Sequence, residues 1–252
     1  MDNLFSIAER FGTPCFVFDE VQLEARMRAV REIVPKAVGL CYSIKANPFL
    51  ISAMRGLVGT LEVCSPGELE ICRQMGVPAD MVLFSGVNKT KADVERAMDL
   101  GALAERCELT IEMGRFFASE CGAYLTRVID TKVNCGTAYA ILDGGIHHVN
   151  YLGGNMGMRV PIIRQSSVRE GEMQPWALCG SLCTTADVLV RKAELHPLDQ
   201  GDILAFMNIG AYSVTEGPAL FLSRDMPSII LHGKGGDRLA RGAVHSWELN
   251  HE

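Results

Sequence analysis

Between residues 15 and 102 short apolar runs alternate with amphipathic ones. "CFVFD" (15–19), "VGLCYS" (38–43), "GTLEVCS" (59–65) and "DMVLFSG" (80–86) are dense in apolar and β-branched residues, which predicts strands. "EVQLEARMRAVREIV" (20–34) sets Val21, Met27, Val30 and Val34 at helical spacing, predicting a helix. "PFLISAMRGL" (48–57) predicts another, with Pro48 in its first turn. Ser65-Pro66-Gly67-Glu68 has the S-x-x-E spacing of a capping box ahead of "ELEICRQMG". "KADVERAMDLGA" (91–102) completes the series. Strand starts fall about twenty residues apart, one βα unit each, so the strands are expected to be parallel with right-handed crossovers.

The rhythm then stops. From about Val128 the pattern becomes short β-rich runs broken by Gly, Asp, Asn and Pro: "LTRVIDTKV", "TAYAILDGG", "GMRVPIIR", "QPWALCGSLC", "GDILAFMNIGAYSVTE" and "PSIILHG". These predict an all-β region, a sandwich or barrel. The expected division is an α/β part at 15–127 and a β domain at 128–252, with residues 1–14 as a candidate addition to the latter.

Composition narrows the function classes. The 252 residues are 48% hydrophobic, enough for a sizeable core. A net charge of −6 without a basic run argues against nucleic acid as a partner. No apolar run approaches a bilayer span, and "MDNLFSIAERF" has neither the basic nor the apolar region of a secretory signal. Nine cysteines without a C-x-x-C pair read as reduced thiols in a cytoplasmic protein. His147-His148 reads as a polar turn after "DGG", and no metal site is expected.

The candidate chemistry begins with Lys45 in "YSIKANP". It follows an apolar strand, at the end where parallel α/β folds carry their sites. A lysine partly withdrawn from water loses some preference for its charged form, and a neutral amine condenses with aldehydes. On position alone, a lysine snorkelling from a strand end into solvent reads as well.

"YSIKANP" resembles the lysine motif of the fold-type III pyridoxal-phosphate decarboxylases, most closely proteins described as diaminopimelate decarboxylases. "CSPGEL", "FSGVNKT", "IEMGR" (with Met113 where the family has proline), "AILDGG", "CGSLCTTAD", Gly201-Asp202 and "GAYS" follow in the family's order. The resemblance implies a (β/α)8-type, alanine racemase-like barrel joined to a C-terminal β domain. It also implies roles. Lys45 would carry pyridoxal phosphate covalently, and Glu112 would face the pyridine nitrogen. Gly114 and Arg115 would bind the phosphate, with Arg115 also able to meet the substrate carboxylate. Tyr212 would contact phosphate or substrate. Cys183 would approach from a second subunit and manage the proton that replaces the carboxylate, making the expected unit a homodimer with shared sites. The implied reaction is decarboxylation of a small-molecule amino acid, with meso-diaminopimelate to L-lysine the first choice.

Two departures qualify the match. An eight-stranded barrel takes about 250 residues, whereas here its central strands are missing after about residue 102, between Ala102 and Cys107. The family's cofactor-stacking histidine and glycine-rich phosphate loop have no counterpart. A half barrel with open edges would aggregate, need a partner, or be a non-catalytic remnant. Second, Thr184 stands where the diaminopimelate enzymes usually place a glutamate on the substrate's distal amine. A hydroxyl brings no charge to an ammonium, so a decarboxylase of ornithine, lysine or a carrier-bound amino acid stays open. Related racemases usually present an arginine to the ring nitrogen, and Glu112 speaks against them.

Overall fold

A computed structural model describes residues 3–85, 90–99, 110–149 and 161–251, with only the backbone at 94 and 97–99. The stretch between Ala102 and Cys107, and residues 86–89 of "FSGVNKT", lie outside the described residues. The chain forms two compact units, one of residues 20–119 and one of 1–19 with 120–252.

In the first unit α2 (Glu20–Ile33) precedes β2 (Gly39–Ser43). Its buried stripe is Leu23, Met27 and Val30, an i, i+4, i+7 set. Val21 is exposed and Leu23 fully buried, so Leu23 takes the place the sequence pattern assigned to Val21. After β2 the chain tightens into 3-10 turns at Ile44–Ala46 and Pro48–Leu50 before the single turn of α3 (Ile51–Met54). The Asn47 side chain accepts the Phe49 N–H at 3.0 Å, beginning the second turn. β3 (Thr60–Val63) leads into α4 (Pro66–Gln74). Ser65 Oγ caps α4 by accepting the Glu68 N–H, and the Glu68 carboxylate reaches back to the Cys64 N–H at 2.6 Å. β4 (Val82–Phe84), α5 (Lys91–Asp99), β5 (Thr110–Met113) and α6 (Arg115–Ala118) follow. The strands form a parallel sheet in the order β4-β3-β2-β5. Thus the strand that runs into "IEMGR" lies directly beside β2, the strand that leads into Lys45, with Cys41 opposite Glu112.

The second unit begins with α1 (Leu4–Phe11) and β1 (Cys15–Asp19). The sequence reading placed β1 at the head of the parallel series. Instead it is an inner strand of a mixed sheet that has nine strands among the described residues, antiparallel to β6 (Gly122–Asn134) and parallel to β12 (Ser228–Gly233). All five β1 residues are buried, which suits a strand covered on both faces. The division at 19/20 and 119/120 therefore gives residues 15–19 and 120–127 to the sheet unit. β7 (Thr137–Leu142), β8 (Ile163–Gln165), β9 (Gln174–Cys179), β10 (Val188–Leu195), β11 (Ile203–Met207) and β13 (Gly236–Arg241) complete the sheet. β6 spans its two halves: residues to Arg127 pair with β1 and β11, and those from Val128 pair with β7. α1 seals one face by burying Leu4, Ile7 and Ala8 against Cys15, Val17, Leu125, Ala205 and Ile230. Among the described residues no helix is long and apolar enough to cross a membrane.

Candidate active site

Lys45 lies just past the C-terminal end of β2, and Glu62 lies on neighbouring β3, where it pairs in register with Ser43. Lys45 Nζ donates to Glu62 Oε2 at 3.2 Å and stands 3.4 Å from Cys64 Sγ. Glu112 Oε1, from β5, is 3.9 Å from the same nitrogen. Three strand ends thus converge on one amine. Glu62 is only 3% exposed, and such a carboxylate needs partners. It has them: Ser43 Oγ and Ser85 Oγ both donate to it, and Cys64 Sγ does so at 2.9 Å.

These contacts set the charges. Burial pushes the Glu62 pKa up, but hydrogen bonds from Cys64, Ser43, Ser85 and Lys45 outweigh it and hold it at about 2. Burial pushes the Lys45 pKa down, yet hydrogen bonds to Glu62 and Cys64 and the Glu62 charge raise it above the usual lysine value. Withdrawal from water alone favours the neutral amine. The structure reverses the sign, because the buried anion beside the lysine contributes more than its partial burial. Burial, followed by Glu62, also raises the Cys64 thiol pKa.

Gly114 and Arg115 follow β5 directly, Arg115 opening α6. Cys183, Thr184 and Tyr212 belong to the sheet unit. Cys183 is exposed at the tip of the turn between β9 and β10. Thr184 Oγ1 accepts the Ala186 N–H at 3.2 Å, so the hydroxyl shapes its own turn. Tyr212 has φ 66, a left-handed backbone that a large side chain adopts at a cost of about 1–3 kcal/mol. The N–H groups of Thr215 and Glu216 secure it by donating to the Tyr212 carbonyl.

The sequence pattern placed Cys64 and Ser85 at strand ends equivalent to that of Lys45, but it did not mark Glu62 or Ser43. One signal could have found Glu62: a carboxylate within an apolar strand is as misplaced as the lysine. The His147-His148 turn is present, but its side chains are buried, with ring centroids 3.7 Å apart. His148 Nε2 donates to the Asp225 carbonyl at 2.7 Å. Burial, followed by the neighbouring His147, pushes its pKa down to about 3. The neutral ring's Nδ1 therefore accepts from the Tyr124 hydroxyl at 3.0 Å. Among the described residues, no group of three His, Cys, Asp or Glu side chains is placed to hold a metal ion.

The model for the pyridoxal-dependent decarboxylases, C-terminal sheet domain, matches residues 15–210. The chain belongs to that family. A relative from Niallia circulans, L-glutamyl-[BtrI acyl-carrier protein] decarboxylase, is 27% identical over 251 residues, covering 90% of this chain and 58% of the relative. Diaminopimelate decarboxylase of Pseudomonas fluorescens is 34% identical over 142 residues, covering 53% of this chain and 34% of the relative. The chain thus spans little more than half the length of the first relative and a third of the second. Among solved structures, diaminopimelate decarboxylase of Helicobacter pylori with L-lysine aligns at TM-score 0.84 and 16% identity, covering 98% of this chain and 99% of that one. The enzyme from M. jannaschii with L-lysine aligns at 0.82 and 17%, covering 97% and 92%. These likenesses show the fold, an alanine racemase-like α/β part with a sheet domain.

The cofactor of this pyridoxal-dependent family is pyridoxal phosphate. Its aldehyde needs an amine and its ring nitrogen an acid. Lys45 and Glu112 supply these two groups at the same end of adjacent strands, so the residue types fit the group.

Proposed function

We propose that this chain decarboxylates an amino acid on pyridoxal phosphate held by Lys45. The observation that carries this reading is the convergence of Lys45, Glu62 and Glu112 from three adjacent strands at one end of the parallel sheet. When bound, the cofactor supplies a ring that accepts the electron pair left on Cα as the carboxylate departs as carbon dioxide. The chain's residues do the rest. Lys45 provides the attaching amine. Glu62, fixed by Ser43, Ser85 and Cys64, orients Nζ and keeps its charge at neutral pH. Glu112 holds a proton at the ring nitrogen. Gly114 leaves room for the phosphate beside the Arg115 backbone. The Arg115 guanidinium offers a planar fork to phosphate or to the substrate carboxylate, and the Tyr212 hydroxyl contacts the same groups. Cys183, from a second copy of the chain, delivers a proton to Cα, so the working unit is a homodimer.

For the substrate, we favour an amino acid whose far end carries no free ammonium, such as one held on a carrier through a thioester. Thr184 supports this, since its oxygen is engaged by Ala186 and residues 179–186, "CGSLCTTA", hold no charge. The Niallia circulans relative, whose name specifies a carrier-bound glutamyl group, covers most of this chain. meso-Diaminopimelate, giving L-lysine, is the second reading, favoured by the relatives named diaminopimelate decarboxylase.

The purified protein loaded with cofactor is expected to be yellow and to fix the label on the peptide bearing Lys45 after borohydride reduction. Lys45→Ala is expected to abolish both signals. Carbon dioxide release should then separate free diaminopimelate from a glutamyl thioester. A colourless protein that takes up no cofactor, or a label on another peptide, refutes the reading and favours a non-catalytic remnant.

A further inference from the structure

Asp187 is 2% exposed, and neither the lysine site nor its proposed chemistry uses it. Each of its carboxylate oxygens nevertheless accepts a backbone hydrogen bond. Oδ2 accepts the Leu182 N–H at 2.8 Å and Oδ1 accepts the Ile146 N–H at 2.9 Å. The first bond closes the turn that displays Cys183. The second ties that turn to the loop after β7. Ser181 adds two ties to the same loop, its N–H to the Gly144 carbonyl and its hydroxyl to the Asp143 carbonyl. The backbone of Asp187 closes the turn from within, accepting from Gly180 and donating to Thr184.

Glycines surround the carboxylate because nothing larger fits. A Cβ on Gly180 would lie 2.2 Å from a carboxylate oxygen, and one on Gly145 would lie 2.6 Å from both. Cys183 is exposed while its neighbour Leu182 is buried, so the thiol rides on a turn whose base is locked. A buried polar group is costly unless it is hydrogen-bonded, and here the bonds fix two backbone segments at once.

We infer that Asp187 is a positioning residue that holds the Cys183 turn rigid, so that the thiol meets the substrate carbon in one orientation. This rests on the role proposed for Cys183. Proton delivery depends steeply on placement, and a displacement of about 1 Å can cost up to a hundredfold in rate. Asp187→Asn keeps the shape but turns an amide donor toward one of the two N–H groups it must accept.

The test uses the cofactor-loaded protein and its borohydride-reducible colour, hydrogen exchange and turnover. Asp187→Asn is expected to speed exchange at Leu182 and Ile146, leave the colour and KM unchanged, and lower kcat about tenfold. Cys183→Ala/Asp187→Asn is expected to turn over no slower than Cys183→Ala, because both changes act through one thiol. Gly145→Ala, which crowds the carboxylate without altering its charge, is expected to reproduce the exchange pattern. Multiplied losses in the double variant, unchanged exchange at Leu182, or loss of colour with kcat overturn the inference. If Cys183→Ala leaves turnover intact while Asp187→Asn still loosens the turn, the role of Cys183 fails, and with it the catalytic consequence assigned to Asp187. Loss of Lys45 labelling in the wild-type protein would instead strike the proposed function, and is read separately.

Discussion

Glu62 does more for Lys45 than hold it in place. An amine must lose its proton before it attacks an aldehyde, and the ion pair opposes that loss. The Lys45 pKa is raised, so at neutral pH the neutral amine is scarce, and its share grows about tenfold per pH unit until the pKa is reached. The rate at which the cofactor-free protein gains borohydride-reducible colour should therefore rise from pH 6.5 to 9. Glu62→Gln removes the anion, lowers the Lys45 pKa and should speed loading at pH 7. Slower loading at every pH would mean that Glu62 serves attachment in another way. Lys45 was legible because a charge stood out at the end of an apolar strand. Glu62 offered the same clue but not its register, and only the pairing of β2 with β3 puts it beneath the lysine. Cys183 and Tyr212 carry no local signal, and the resemblance alone pointed to them.

Elements with local causes were the readable ones. α4 is an example, since its Ser65 cap, its proline start and its returning Glu68 all lie within four residues of sequence. Ser65→Ala should cost about 1 kcal/mol in urea unfolding, the ordinary value of a side-chain cap, and Ser65→Asn should recover most of it. No shift in the unfolding midpoint for the alanine variant would show that Pro66 and Glu68 suffice to start the helix. Strand membership was harder to read, because a strand's pattern reports burial but not its partner. Cys15–Asp19 looks like the head of a βα series, yet its hydrogen bonds run to residues more than a hundred positions away. β10 and β13 escaped the reading because charged residues interrupt them, as in "VLVRKAEL" and "GDRLAR".

At the scale of the molecule, the candidate chemistry is divided between the two units, with Lys45, Glu62 and Glu112 in one and Cys183, Thr184 and Tyr212 in the other. The proposed homodimer assigns the lysine and thiol of each site to different chains. That arrangement has a signature independent of the substrate's identity. Lys45→Ala and Cys183→Ala chains should each turn over poorly alone. Mixed in equal amounts and allowed to exchange subunits, half of the dimers are hybrids. A hybrid has one site with both residues mutated and one with both intact. Activity should therefore return to about a quarter of the wild-type level, as two-fold symmetry requires. If lysine and thiol came from the same chain, every site in the mixture would lack one of them and no activity would return. The measurement needs only a turnover assay and a demonstration of exchange, and its two outcomes are far enough apart to decide which chain supplies the proton.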